Sequence, residues 1–491
     1  MSSDGPRRPG RAVAMAAVLA ATGCRAGPDT RAGRCEAPDR LGAGPVDLAR
    51  RAPPGGRGRV LHVAPAGSDA ADCSAGAPCR QIARAVSRLA AGDTLVIEPG
   101  DYDRFTMSAA GRAGAPITLY ARAPGATVRG QPGCGRRDRS CRDAILIERA
   151  AYVVLDGLGA TGAARAGLAV ENSRQVTVRN GVFADNGRWG IFSGFVDDLV
   201  VEHNEAARSV HEHGIYASNS GDRPIIRRNW VHDNRACGIQ INADWTVKDP
   251  DHLYPGVVDG ITTGAVVEGN VISGNGRGGG AAINLDGVQD SLVRNNLLFA
   301  NTASGIVCYG DADGVPDMSQ DDGDGRQGPR GMVIVHNTVV QPPGARAALL
   351  IRHAVGRNQV RNNILYHADP RGPAIRLGSD QDAADLDSDH NAFSRPGAID
   401  LRAVPTSAGP PDSSAVIDLE AWRARGEDRH SLAATADALF AAPGCDFSPA
   451  RGSPARDRGA AMAGSGDADL RGQPRPRGPA PDLGALEAAP P

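Results

Sequence analysis

Between residues 165 and 394 one short phrase keeps returning: Gly-Ile or a near relative, a few polar residues, a Val-rich stretch, then Asn followed by apolar residues. Aligning the copies puts Asn180, Asn204, Asn229, Asn270, Asn296, Asn337, Asn363 and Asn391 in one column, spaced by 24, 25, 41, 26, 41, 26 and 28 residues. Five spacings fit a single coil, and two carry an insert. A fixed period in this range signals stacked units, and short β-runs with no amphipathic helix between them point to a β-solenoid rather than a helical repeat. The predicted fold is therefore all-β, a right-handed parallel β-helix with an N-terminal capping helix and an irregular C-terminal tail. In such a stack equivalent residues sit ~4.8 Å apart, so Asn amides at one bend can hydrogen-bond along the column.

These repeats resemble the right-handed β-helix proteins of the pectin-lyase-like superfamily over roughly residues 60–395. The resemblance implies the fold. It leaves the reaction open, because that superfamily holds lyases, hydrolases, epimerases and proteins of no assigned activity.

A formal charge of -2 and a pI near 6.6 give no net basic field, which argues against a nucleic-acid partner. Residues 1–23 read as an export signal: Arg7, Arg8 and Arg11 precede an apolar run over residues 12–21 that is too short to span a membrane. Ala21-Thr22-Gly23-Cys24 resembles a bacterial lipobox, although that pattern prefers Leu where Ala21 stands. Lipid attachment at Cys24, as the only membrane tie, and simple secretion are both open. Residues 24–59, rich in Gly, Pro, Arg and Ala, are expected to be a flexible linker. Export permits disulfides, and Cys73 with Cys79 and Cys134 with Cys141 are close enough to staple local loops. Cys35 and Cys445 can join only if the fold brings the ends together, and Cys237 and Cys308 read as buried fillers.

From Val60 the β-helix is expected to run to residue 395, opening with an amphipathic helix over residues 79–91 that covers the first coil's strand edge. Gly92-Asp93-Thr94-Leu95-Val96-Ile97-Glu98-Pro99-Gly100-Asp101-Tyr102 then resembles the opening of many secreted β-helix proteins. Residues 396–491 form a C-terminal extension whose closing segments pack like strands, and the molecule is expected to be a monomer.

Strand alternation sorts the Gly-Ile strands into faces. Ile191, Ile215, Ile239, Ile283 and Ile306 fill the core, leaving outward Tyr216, Gln240 and Asn284 in one column and Asn242, Asp286 and Tyr309 in another, with Arg352 one step further. Inserts at residues 243–260 and 310–330 follow the first strands of their coils, so they should form two walls around this floor. The first wall offers Trp245 for stacking on a sugar, the chain's single lysine Lys248, and His252. Its Asp249-Pro250-Asp251-His252 departs, by the extra Asp251, from the Asp-Pro-His motif of alginate epimerases, so that activity is not carried over. The second wall offers Asp311, Asp313 and Asp317, clustered carboxylates between Gly turns that suit calcium (Ca²⁺), with a solvated acidic loop as the alternative. His203, His336 and His390 each precede a ladder Asn and read as bend residues, as does Arg179 before Asn180, while His211 and His213 flank Glu212 as a metal pair lacking a third ligand.

The expected function is an exported enzyme cleaving an acidic polysaccharide by β-elimination. Arg352 or Ca²⁺ would neutralise the uronate carboxylate, and Lys248, His252 or Tyr309 would take the proton, beside Asp286. The alternatives are a hydrolase pairing Asp286 with Asp244 or Asp311, and a non-catalytic glycan-binding or structural surface protein.

Overall fold

The computed structural model describes residues 38–46, 58–243, 254, 256, 258–310, 327–370, 372–395, 397–401 and 416–489, all within a compact unit spanning Glu36–Pro491. Each regular coil contributes three short strands. The first two lie in a 23-stranded sheet and the third in a 12-stranded sheet. Pairing along the coils is parallel, and a two-residue antiparallel pairing of Ile399–Asp400 with Val416–Ile417 ends the larger sheet.

The register of the Gly-Ile strands is the one alternation predicts. Leu168 pairs with Ile191, then Ile215, Ile239, Ile283, Ile306, Leu349, Ile375 and Ile399. Every member of that column is at most 1% exposed, so the interior is a continuous apolar stack. The β-branched and Leu side chains suit a pleated surface covered on its inner side, and the glycine that opens five of these strands lets neighbouring coils approach closely. A Cβ on Gly214 would lie 2.9 Å from the Gly238 carbonyl oxygen, and one on Gly305 would lie 2.2 Å from that of Ala348.

The asparagine ladder forms, with one shift. From Asn204 through Asn229, Asn270, Asn296, Asn337 and Asn363 to Asn391, each Nδ2 donates to the Oδ1 of the next at 2.9–3.2 Å, and each side chain is fully buried. Asn180 is not a member. Arg179 pairs with Glu202 at the strand end, which puts Asn180 beside His203 and Gly181 beside Asn204. Gly181 supplies only its N–H, donated to Asn204 Oδ1 at 2.9 Å, while Asn180 donates to Asp156. The residue before each ladder position is left-handed: Asn180 has φ 59°, His203 54°, Arg228 54°, His336 54°, Asn362 59° and His390 55°. The histidines are bend residues as expected, and Arg179 is the end of a strand instead. A second ladder, unforeseen from sequence, runs from Asn234 through Asn275 to Asn301 at the next bend, five residues after Asn229, Asn270 and Asn296.

The first helix is shorter than its period suggests, covering Ile82–Val86. Cys79 is bonded to Cys73 and its backbone exchanges hydrogen bonds with the first strand, so the chain there is already extended. Cys134 with Cys141 forms the other expected staple, Cys237 and Cys308 are buried free thiols, and Cys445 is disulfide-bonded. The suggested partner Cys35 lies outside the described residues, as do the export segment and Cys24.

Part of the stretch expected as linker packs instead: Leu41 and Ala43 are buried against the 12-stranded sheet, and the Gly44 N–H donates to the Arg228 carbonyl at 2.9 Å. The C-terminal extension doubles back over the same face, its Gly484 N–H donating to Asn362 O and its Ala468 O accepting from Asn295 Nδ2. There Leu470, Leu483 and Leu486 cover Val271, Leu297 and Ile364, and Arg475 and Glu487 pair at 2.7 Å, each 1% exposed. The apolar outer faces of the third strands from Trp230–His232 to Ala392–Ser394 are thus packed against the chain itself.

Asn296 makes side-chain bonds to Val267 O, Asn337 Oδ1 and both nitrogens of Asn270. Asn296→Ala would strand buried donors and acceptors and is expected to cost about 2 kcal/mol or more in denaturant unfolding. Truncating the half-exposed Arg227, paired with Glu202, should cost well under half of that.

Candidate functional site

The outward residues of the Gly-Ile strands floor a cleft of about 870 Å³. It crosses seven of these strands, from Trp189–Asp197 to Ile375–Leu377; six inter-strand steps of ~4.8 Å make it ~29 Å long, room for an oligomer. Phe192, Tyr216, Gln240, Asn284, Val307, Leu350 and Arg376 succeed one another in register along the floor. The chemistry changes along this column from aromatic through amide to aliphatic and cationic.

At the aromatic end Trp189 stacks on Phe192 with centroids 4.4 Å apart, and Tyr216 closes on both rings at 5.4 and 5.5 Å. The Arg188 guanidinium lies 4.4 Å above the Trp189 ring. Glu212 holds this corner, accepting from Arg188 Nε at 2.7 Å, from a second Arg188 nitrogen, and from Trp189 Nε1 at 2.8 Å. Its oxygens are committed, which marks it as a positioning group. His213 stands edge-on to Tyr216, and its Nδ1 lies 3.1 Å from the Cys237 N–H. Accepting that bond assigns the proton of the neutral ring to Nε2. Burial lowers the His213 pKa to about 4, a shift that Glu212 opposes and Arg188 reinforces, so the ring is neutral at pH 7. Burial likewise raises the Cys237 thiol to about 11, leaving it unsuited to nucleophilic work.

In the middle, Asn284 Nδ2 donates to Gln240 Oε1 at 2.8 Å and to the Tyr309 hydroxyl at 3.2 Å. The Arg352 guanidinium sits over the Tyr309 ring, 5.0 Å from its centroid. Arg346 and Arg376 also line this end. Arg376 is paired with Asp400 at 2.5 Å, whereas Arg346 and Arg352 have no carboxylate partner among the described residues.

Of the residues expected from sequence, Tyr216, Gln240, Asn242, Asn284, Tyr309 and Arg352 all line the cleft. Asp286 keeps its expected register between Asn242 and Tyr309, but it is 5% exposed and is not among the side chains lining the cleft. Asn284 of the same strand lines the cleft although it is only 8% exposed. Trp245, Lys248 and His252, and Asp311, Asp313 and Asp317, lie outside the described residues. So do Asp244, the remainder of the epimerase-like motif, and any Ca²⁺ geometry. The feet of the two inserts flank one coil: the Ala243 N–H donates to Asp286 O, and the Gly287 N–H to Tyr309 O. Tyr254 pins the first insert, its hydroxyl donating to Asp197 Oδ1 at 2.5 Å. Among the described residues His211, Glu212 and His213 do not converge as metal ligands.

Sequence reasoning missed Arg188, Trp189, Arg346 and Arg376. Trp189 directly precedes the Gly-Ile pair of its coil, and Arg376 is a cation within an Ile-Arg-Leu strand. Both signals were visible in the repeat.

A cleft floored by stacked parallel coils, aromatic at one end and cationic at the other, defines a right-handed parallel β-helix protein with an elongated ligand groove. Residues 137–248 match the family model described as a right handed beta helix region. Among solved structures the chain is similar to pectate lyase Pel9A, at 16% identity and a TM-score of 0.56, covering 92% of this chain and 100% of that one. It is also similar to an alginate lyase from Paenibacillus sp. str. FPU-7, at 16% identity and a TM-score of 0.43, covering 70% of this chain and 98% of that one. None of the curated proteins matches its sequence. The chain has the right-handed parallel β-helix fold.

The depressed His213 pKa carries a stability signature. Between pH 6.5 and about 4 the unfolded chain binds a proton at this ring that the folded chain refuses, so stability falls as pH falls across that window. His213→Asn keeps an acceptor for the Cys237 N–H and removes the titration. Chemical denaturation from pH 7 to pH 4 is expected to lose about 3 kcal/mol less in this variant than in the parent.

Proposed function

We propose that the protein is an exported enzyme that cleaves an acidic polysaccharide by β-elimination. The observation that carries this reading is the Arg352 guanidinium, which has no carboxylate partner among the described residues and lies over the Tyr309 ring on the floor of an elongated cleft that Arg346 also lines. A uronate presents a carboxylate next to the carbon that must lose its proton. Neutralising that carboxylate stabilises the charge that develops as the proton leaves. The similarity in fold to a pectate lyase is compatible with this chemistry.

Arg352 takes the uronate carboxylate, with Arg346 assisting. Tyr309, as the phenolate, takes the proton from the adjacent carbon and passes it to the leaving sugar oxygen as the bond from the next carbon to that oxygen breaks and a carbon–carbon double bond forms. The Asn284 amide and the Arg352 guanidinium place a donor and a positive charge beside the phenol oxygen that receives the proton. Tyr216, backed by the Trp189–Phe192 stack, offers its ring to a sugar bound further along, and Gln240, Asn242 and Asn284 offer amides for hydroxyls. Lys248 and His252 are the bases the first insert would supply, Trp245 its stacking ring, and Asp311, Asp313 and Asp317 the Ca²⁺ ligands the second insert would supply. Export by residues 1–23, lipid attachment at Cys24 and action as a monomer belong to the same proposal.

The purified protein is to be incubated with acidic and neutral polysaccharides, with Ca²⁺ or with chelator. Ultraviolet absorbance from an unsaturated uronate is expected on an acidic substrate. Arg352→Ala and Tyr309→Phe should each lower kcat at least ~100-fold, an effect on the order of 3 kcal/mol. New reducing ends without that absorbance would replace the lyase with a hydrolase. Binding of a glycan with no product from any substrate would replace it with a non-catalytic binding protein.

A further inference from the structure

At the far end of the stack from the first strand, the last ladder bend meets the returning chain through three side chains the cleft does not use. Ligand atoms of Asp389, His390 and His430 all lie within 4.8 Å of one another. Asp389 Oδ1 accepts the backbone N–H groups of His390 and His430, both at 2.8 Å, which fixes the carboxylate. Its Oδ2 then faces His430 Nδ1 at 2.7 Å and His390 Nδ1 at 3.4 Å. The two imidazoles stack with centroids 4.8 Å apart and planes 26° apart.

An Asp389–His430 ion pair alone accounts for only part of this. His390 Nδ1 is buried and makes no hydrogen bond, although it points at the same carboxylate oxygen. Buried imidazole nitrogens rarely go unpartnered, because an unmet polar group away from water is costly. A cation held between the two Nδ1 atoms and Oδ2 would satisfy all three at once.

We propose that Asp389, His390 and His430 bind a transition-metal ion of the Zn²⁺ class, which fastens the returning C-terminal segment to the last ladder bend. Two imidazoles and one carboxylate suit Zn²⁺ and not Ca²⁺, which prefers six to eight oxygens. Ligand distances of about 2.0–2.1 Å in a tetrahedron need donors about 3.3 Å apart, and the 2.7 and 3.4 Å separations lie within a small side-chain adjustment of that. His390 is held in the left-handed bend that starts the Asn391 ladder position, and the two backbone bonds to Asp389 Oδ1 orient the carboxylate as outer partners of a metal ligand do. His430, 66% exposed, leaves the fourth position to water. Arg361, whose charge bears on His390, is paired with Asp387. The ligands come from residues 389–390 and 430, so the bound ion would cross-link two segments about 40 residues apart in sequence.

The full chain, stripped with chelator and dialysed, is to be titrated with ZnCl₂ and separately with CaCl₂ by calorimetry, with thermal unfolding in parallel. One Zn²⁺ per chain should bind in the micromolar range or tighter and raise the unfolding midpoint, and Ca²⁺ should give neither effect through these residues. His430→Ala, which removes an exposed side chain and should leave the circular dichroism unchanged, is expected to weaken Zn²⁺ binding at least tenfold. His390→Gln should do the same. Absence of saturable Zn²⁺ binding overturns the proposal, and so does Zn²⁺ binding of unchanged affinity in His430→Ala.

Discussion

Everything in this molecule hangs on the lateral pairing of parallel strands one coil apart, locked by side-chain amides that repeat the backbone's own hydrogen bonds. A ladder Asn buried at a bend needs partners for both its nitrogen and its oxygen, and the identical residue one coil away supplies them. Because each rung satisfies its neighbours, the column tolerates no half-satisfied member in its interior. Where the ladder stops, other groups take over: Gly181 offers its N–H at one end, and the Ser431 hydroxyl accepts the Asn391 N–H at the other.

That lock fixes the register, and the register makes the cleft. Side chains on a strand alternate, so a one-residue slip would exchange Tyr216, Gln240 and Asn284 for the isoleucines beside them. The same rigidity explains how a modest set of polar side chains can form an extended groove without a preformed cage. Each coil donates one residue to the same line, and neighbouring residues contact across the inter-coil step, as Asn284 does with Gln240 and Tyr309. The outer face of the third strands has no such use and is covered by the tail, whose buried Arg475–Glu487 pair sits among the leucines that seal it.

Much of this was legible in the chain. The Gly-Ile phrase located the strands, alternation placed six of the cleft residues correctly, and Cys73–Cys79 and Cys134–Cys141 paired as their spacing suggested. The errors have physical causes. Asn180 resembles a ladder residue because asparagine also favours the left-handed bend one position earlier, and sequence similarity does not separate the two roles. The helical period over residues 79–91 overstates the helix because Cys79 is bonded to Cys73 and lies extended beside the first strand.

The sequence by itself determined the period, the handed stacking of coils and the inward or outward sense of each strand residue, because these follow from local alternation and from a repeat that must pair with itself. Only the tertiary structure decided which outward residues share a cleft. Arg188, Trp189 and Glu212 form one corner across adjacent coils, and Arg352 comes to rest on Tyr309, through contacts between residues tens of positions apart. The returning tail is the clearest case. Nothing local directs Arg475 to Asn295 or His430 to Asp389; those meetings arise because a solenoid leaves one long face exposed, and burying it brings distant residues together.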